Sequence, residues 1–148
     1  MSIKIKTNSE EETLTLGKKF AKVIKSGDII AMFGELGAGK TAFVRGVTSE
    51  FGCAENVSSP TFAIVNEYIG KIKIYHFDMY RIHGEDELYC TGFYDYIEEE
   101  NTISFIEWSE NIEEALPEGV IKIYIKKQGE NERLFTFEGT DKIWIYWQ

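Results

Sequence analysis

Apolar positions along the chain change period several times, and each change marks an element. Ile3-Lys4-Ile5-Lys6-Thr7 alternates, which predicts a short strand with one buried face. Ser9 followed by Glu12 forms a capping box, and the helix it opens is expected to run to about Lys25. Leu14, Leu16, Phe20, Ala21, Val23 and Ile24 give that helix a broad buried stripe, and Gly27 is placed to end it. Ile29-Ile30-Ala31-Met32-Phe33 is apolar without interruption, as in a strand covered on both faces. Thr41 to Phe51 returns to helical spacing through Phe43, Val44, Val47 and Phe51, and Gly52 closes it.

Farther on, Phe62–Ile69 and Ile72–Asp78 read as two strands of a hairpin. Gly70-Lys71 between them suggests a type II′ turn. Ile72, Ile74, His76 and Asp78 fall on one face, with Asp78 at the strand end. Glu85 to Glu100 is acidic and aromatic and reads as short helices broken at Gly92, a solvated layer over the core before it reads as a partner surface. Ile103-Ser104-Phe105-Ile106-Glu107 is a further strand ending in a carboxylate, with Trp108 behind it. After Pro117 come three strands, Val120–Lys126, Arg133–Phe137 and Lys142–Trp147, with turns at Gln128-Gly129 and Gly139. The terminal aromatic strand is expected in the core.

Between the uninterrupted strand and the helix after it stands Gly34-Glu35-Leu36-Gly37-Ala38-Gly39-Lys40-Thr41. It fits the phosphate-binding pattern G-x-x-x-x-G-K-[ST] in the strand-to-helix setting that the pattern requires. Glycines let the backbone turn its N–H groups onto phosphate oxygens, and the helix presents its positive end at the same place. Lys40 adds charge near the β and γ phosphates, and Thr41 offers a hydroxyl to magnesium. A glycine-rich turn matching by chance would need neither the strand nor the helix.

Two strand-end carboxylates, Asp78 and Glu107, suit such a loop: one can hold magnesium or orient water. Either alone would read as a solvated strand end. His76 reads as a packed or surface residue before it reads as a ligand. In Val57-Ser58-Ser59-Pro60-Thr61-Phe62, Pro60 keeps Ser59 extended, and Thr61 is placed to sense a γ-phosphate. On spacing alone an ordinary surface loop is the simpler account of that stretch.

Length and charge then narrow the class. At 148 residues with 43% apolar and 14% aromatic residues, residues 1–148 are expected to form one domain with a real core. A net charge of −9 argues against this chain alone gripping a nucleic-acid backbone, though not against a protein partner that holds RNA. Cys53 and Cys90 form no metal or redox motif and read as reduced thiols of a cytosolic protein. Met1-Ser2-Ile3-Lys4 lacks a signal-peptide core, and no apolar run approaches a membrane span, so a cytoplasmic location is expected.

Taken in order, the loop, Arg45-Gly46, Ser59-Pro60-Thr61-Phe62, His76-Phe77-Asp78-Met79-Tyr80-Arg81 and Ile106-Glu107-Trp108 resemble the TsaE (YjeE) family. That family holds the bacterial ATPases of threonylcarbamoyladenosine (t6A) synthesis on tRNA. The resemblance covers about Ser9 to Trp108, and the last forty residues match only in being β-rich. It implies a three-layer α/β phosphate-loop fold with a mixed, mainly parallel sheet and added antiparallel strands. It implies that Glu35, Leu36, Gly37, Ala38, Gly39 and Lys40 hold the triphosphate of ATP or ADP. Thr41 and Glu107 would be the Mg2+ ligands, and Asp78 would sit near the γ-phosphate or the attacking water. Ser59-Pro60-Thr61 would be the nucleotide-sensitive switch, with Ser9 and Glu10 approaching the adenine and Trp108 near the nucleotide. The implied partners are TsaB and TsaD, with tRNA met only through that complex. Met79 and Glu110 depart from the family pattern, and neither touches the implied chemistry.

Two other classes fit the residues. A small phosphotransferase would need a mobile lid carrying arginines, and the chain has only Arg45, Arg81 and Arg133. A nucleotide-gated binding module with negligible turnover would share the same loop.

Overall fold

The structure is a computed structural model, and it describes residues 2–34, 39–53 and 64–139. Among the described residues seven strands make one sheet: β1 (Ser2–Thr7), β2 (Ile29–Phe33), β3 (Val65–Ile69), β4 (Lys73–Asp78), β5 (Thr102–Glu107), β6 (Ile121–Lys127) and β7 (Arg133–Glu138). The helices are α1 (Glu10–Ala21), α2 (Lys40–Glu50), α3 (Glu85–Cys90) and α4 (Phe93–Glu98), with a 3-10 segment at Ser109–Ala115.

Strand order is β1-β7-β6-β2-β5-β4-β3. The central pairs β6–β2, β2–β5 and β5–β4 are parallel, and β3, β7 and β1 are added antiparallel. This is the expected mixed sheet with a parallel centre. β2 lies between two parallel neighbours, which is why its sequence is apolar on both faces. The α1/α2 face packs Phe20, Phe43, Phe105, Phe135 and Phe137 among aliphatic side chains. The opposite face buries Tyr75, Phe77, Leu88, Phe93 and Ile112 under α3, α4 and the 3-10 segment.

Glycine sets the contact of α1 with α2. A Cβ on Gly17 would stand 2.2 Å from the Phe43 carbonyl oxygen, and one on Gly46 would stand 2.1 Å from that of Leu14. The helices therefore meet backbone to backbone, and no larger residue fits without moving one of them.

Several boundaries differ from the sequence reading. α1 ends at Ala21, four residues before Lys25, because Lys22 N–H donates to the Lys19 carbonyl and Val23 N–H to that of Phe20, which closes the last turn. Val23 and Ile24 are buried beyond the helix, while Leu14 is only half-buried. Ser9 caps α1 by accepting from the Glu12 N–H at 3.1 Å, but the Glu12 carboxylate accepts from Asn8 N–H rather than from Ser9.

The hairpin register pairs Ile69 with Lys73, so three residues form the turn instead of two. Gly70 has no positive φ, which rules out the type II′ turn. Its glycine serves close approach: a Cβ there would stand 2.3 Å from the Phe51 carbonyl oxygen, and Lys71 N–H donates to the same carbonyl. The acidic stretch does form two short helices, and Gly92, at φ 82°, separates them. The expected strand Lys142–Trp147 and the start of the hairpin at Phe62 lie outside the described residues. Among the described residues, no helix is long and apolar enough to cross a membrane.

Candidate phosphate-binding site

The site lies where β2 ends and α2 begins. Gly39, at φ 99°, is the residue before α2, and this left-handed conformation turns the chain from the loop into the helix. Lys40 is the first helical residue and is buried, at 4% exposure. Its Nζ donates to the Gly34 carbonyl at 2.9 Å, lies 3.8 Å from Glu107 Oε1, and sits 4.7 Å from the centroid of the Trp108 ring. The ammonium is thus held by the end of β2, the end of β5 and an aromatic face.

Glu107 is equally buried at 4%. While Oε1 faces Lys40, Oε2 takes a 2.5 Å hydrogen bond from His76 Nε2. Asp78 and Glu107 are register partners at the ends of the parallel strands β4 and β5, so the two carboxylates predicted from sequence stand side by side. Asp78 is less buried, and its Oδ1 accepts from Tyr80 N–H at 2.9 Å, capping the turn after the strand. Burial pushes the Asp78 carboxyl above the usual carboxylate range. The Tyr80 hydrogen bond opposes that rise, and the neighbouring Glu107 carboxylate adds to it. No ion pair joins Asp78 to Arg81 among the described residues.

A cavity of about 320 Å³ opens beside Lys40. Ser9 and Glu10, at the start of α1, line it together with Lys40, Thr41 and Glu107. The Gly17–Gly46 contact is what brings the first turn of α1 to this mouth. Sequence reasoning missed five lining residues, Thr13, Ala42, Arg45, Asn131 and Arg133. Thr13 is set by a 2.7 Å hydrogen bond to Thr7, and Arg45 by a 3.3 Å ion pair with Glu10. Arg133 Nη1 donates to the carbonyls of Gly129, Glu130 and Glu132, which fixes the guanidinium at the start of β7. Thr7 and Arg133 are register partners across the β1–β7 pair, a long-range pairing that no local pattern announces.

Asp78 and Trp108 do not line the cavity; Trp108 reaches the site through Lys40 and packs against Tyr80, with ring centroids 4.9 Å apart. Trp108 holds φ 57°, a conformation uncommon for a bulky residue. Glu35, Leu36, Gly37, Ala38, Ser59, Pro60 and Thr61 lie outside the described residues.

Chemically, the mouth combines a helix N-terminus with Lys40, Arg45 and Arg133, which suits an anion. Thr41 and Glu107 add oxygen donors of the kind a hard cation takes. Among the described residues there is no group of three or more His, Cys, Asp or Glu that would hold a metal unaided. Magnesium bound with a nucleotide needs no such group, because it keeps waters and takes phosphate oxygens beside one or two protein ligands.

Comparison with known proteins agrees with this geometry. The family model "Threonylcarbamoyl adenosine biosynthesis protein TsaE" matches residues 7–135. The tRNA threonylcarbamoyladenosine biosynthesis protein TsaE of Bacillus subtilis is 40% identical over 136 residues, covering 91% of this chain and 84% of the relative. Its namesake from Haemophilus influenzae is 41% identical over 123 residues, with 78% and 77% covered. The crystal structure of Bacillus subtilis YdiB superposes with a TM-score of 0.76 at 33% identity, over 99% of this chain and 91% of that one. Matched by the family model over residues 7–135 and 40% identical to a TsaE protein over most of its length, this protein belongs to the TsaE family.

Proposed function

We propose that this chain is a magnesium-dependent ATP-binding and ATP-hydrolysing protein required for threonylcarbamoylation of adenosine in tRNA, acting with TsaB and TsaD. The relatives' names support the pathway. The observation that carries the nucleotide chemistry is Lys40, a buried ammonium at the first position of α2 between the end of β2 and Glu107.

In this reading Lys40 exchanges the Gly34 carbonyl and Glu107 for phosphate oxygens. The N–H groups at the start of α2 bind the same phosphates. Thr41 and Glu107 hold magnesium, which supplies neutralising charge to the phosphate oxygens. Arg45 and Arg133 stand across the cavity mouth and offset further negative charge. Asp78 accepts a hydrogen bond from the attacking water and holds it in line, the positioning task that phosphoryl transfer asks of a protein. Ser9 and Glu10 face the base end of the nucleotide. With a net charge of −9, the chain meets tRNA through its partners rather than directly.

Reconstitution tests this. With TsaB, TsaD, tRNA and ATP, adding this chain is expected to carry modification through repeated turnovers. Equal multiple-turnover yields with the chain omitted would overturn the proposal.

A further inference from the structure

His76 is fully buried on the face of β4 that also carries Ile74 and Asp78, with Phe105 beside it in register on β5 and Asn66 beside it on β3. An imidazole buried there carries a desolvation cost that a phenyl ring would not. One nitrogen is compensated: Nε2 stands 2.5 Å from Glu107 Oε2. The other, Nδ1, is buried and has no hydrogen-bond partner among the described residues. A carboxylate can only accept, so His76 Nε2 is the donor in this bond. Packing alone does not account for this arrangement, since it leaves a buried polar atom unsatisfied among the described residues.

The arrangement does divide the Glu107 carboxylate. Oε2 is held from behind by His76, and Oε1 faces Lys40 at 3.8 Å. Asp78, the register neighbour of Glu107, has no such support among the described residues and spends its Oδ1 on the Tyr80 turn. We propose that His76 is a positioning residue, whose Nε2–H fixes the orientation of Glu107 so that Oε1 is presented to magnesium at the phosphate-binding mouth. This rests on the reading of Glu107 as a metal ligand given above. A partner behind a metal-binding side chain typically changes metal affinity 10- to 100-fold.

The test is ATP binding by calorimetry in EDTA and at stepped magnesium chloride, on the full chain and three variants. Gln can place its amide N–H near the Nε2 position, whereas the shorter Asn places its own near Nδ1. His76→Asn is expected to raise the magnesium midpoint about 10-fold or more, with ATP affinity in EDTA unchanged. His76→Gln is expected to restore the midpoint to within about threefold. Should His76→Asn not fold, His76→Leu takes its place at the same readout. Both His76 variants at the wild-type midpoint, or both shifted alike, would overturn the positioning role. Glu107→Gln separates the two claims. If it raises the midpoint while the His76 variants do not, only the positioning role fails. If it leaves the midpoint where it was, the metal role of Glu107 fails and this inference with it.

Discussion

The two faces of the sheet are built by different means. On the α1/α2 face, two helices touch through Gly17 and Gly46, and the contact sets how closely their backbones lie. On the other face, α3, α4 and the 3-10 segment rest on side chains, with Phe77 meeting Phe93 and Tyr96 edge to face. Backbone contact leaves no slack, and the side that carries it also carries Ser9, Glu10, Lys40 and Thr41. Side-chain packing tolerates repacking, and the face that relies on it holds none of those residues. Damage to the first face should therefore reach the nucleotide, while damage to the second should cost stability alone.

The largest expected effect comes from Gly46→Ala. Its new methyl group meets a carbonyl oxygen that cannot swing away, so the cost is expected at about 3 kcal/mol or more in urea unfolding. ATP affinity of the molecules that remain folded should fall as well, because α1 and α2 shift against each other. Leu88→Ala on the opposite face should cost about 2 kcal/mol or more for the cavity it leaves, with ATP affinity of the folded protein unchanged. Weakened ATP binding by Leu88→Ala and an unaltered affinity in Gly46→Ala would reverse the comparison.

Asp78→Asn sharpens it further. The raised carboxyl means that the folded protein holds this proton more tightly than the unfolded chain does. Asp78 therefore lowers stability progressively as pH rises through its folded pKa, and the penalty is absent below the ordinary carboxylate range near pH 4. Asn can still accept from Tyr80 N–H. The variant should match or exceed wild-type stability at pH 7 in thermal melts, with the difference closing toward pH 3, while single-turnover hydrolysis falls about 10- to 1000-fold. A loss of stability at pH 7 with hydrolysis intact would make Asp78 a turn cap and nothing more. The smallest effect should come from Glu10→Gln, which removes the surface ion pair with Arg45 and should move stability by less than about 0.5 kcal/mol.

Much of this was legible along the chain because the relevant signals are local. An uninterrupted apolar strand, a glycine loop and a helical period are consecutive in sequence, and they locate β2, Lys40 and α2. Asp78 and Glu107 were readable as strand ends, but their adjacency depends on β4 and β5 pairing in parallel register across about thirty residues. Arg133 and Asn131 reach the cavity only through the β1–β7 and β6–β7 pairings, and nothing near them in sequence says so. His76 read as a packed residue, and it is packed. Its hydrogen bond to Glu107 is a tertiary fact. The end of α1 was misplaced because Val23 and Ile24 continue the apolar period after the helix has stopped, and burial does not require helix.

The central claim is that the buried ammonium of Lys40 is kept for phosphate. Lys40→Ala leaves Glu107 buried without its cation, so the variant is expected to melt lower than wild type in the absence of ligand. The decisive quantity is the further shift on adding ATP and magnesium. A ligand that binds only the folded state stabilises by about 2.7 kcal/mol at one hundred times its dissociation constant, and the wild-type melting temperature should rise accordingly. The account predicts that this rise is lost in Lys40→Ala at the same ATP concentration. A rise equal to that of the wild type would contradict it.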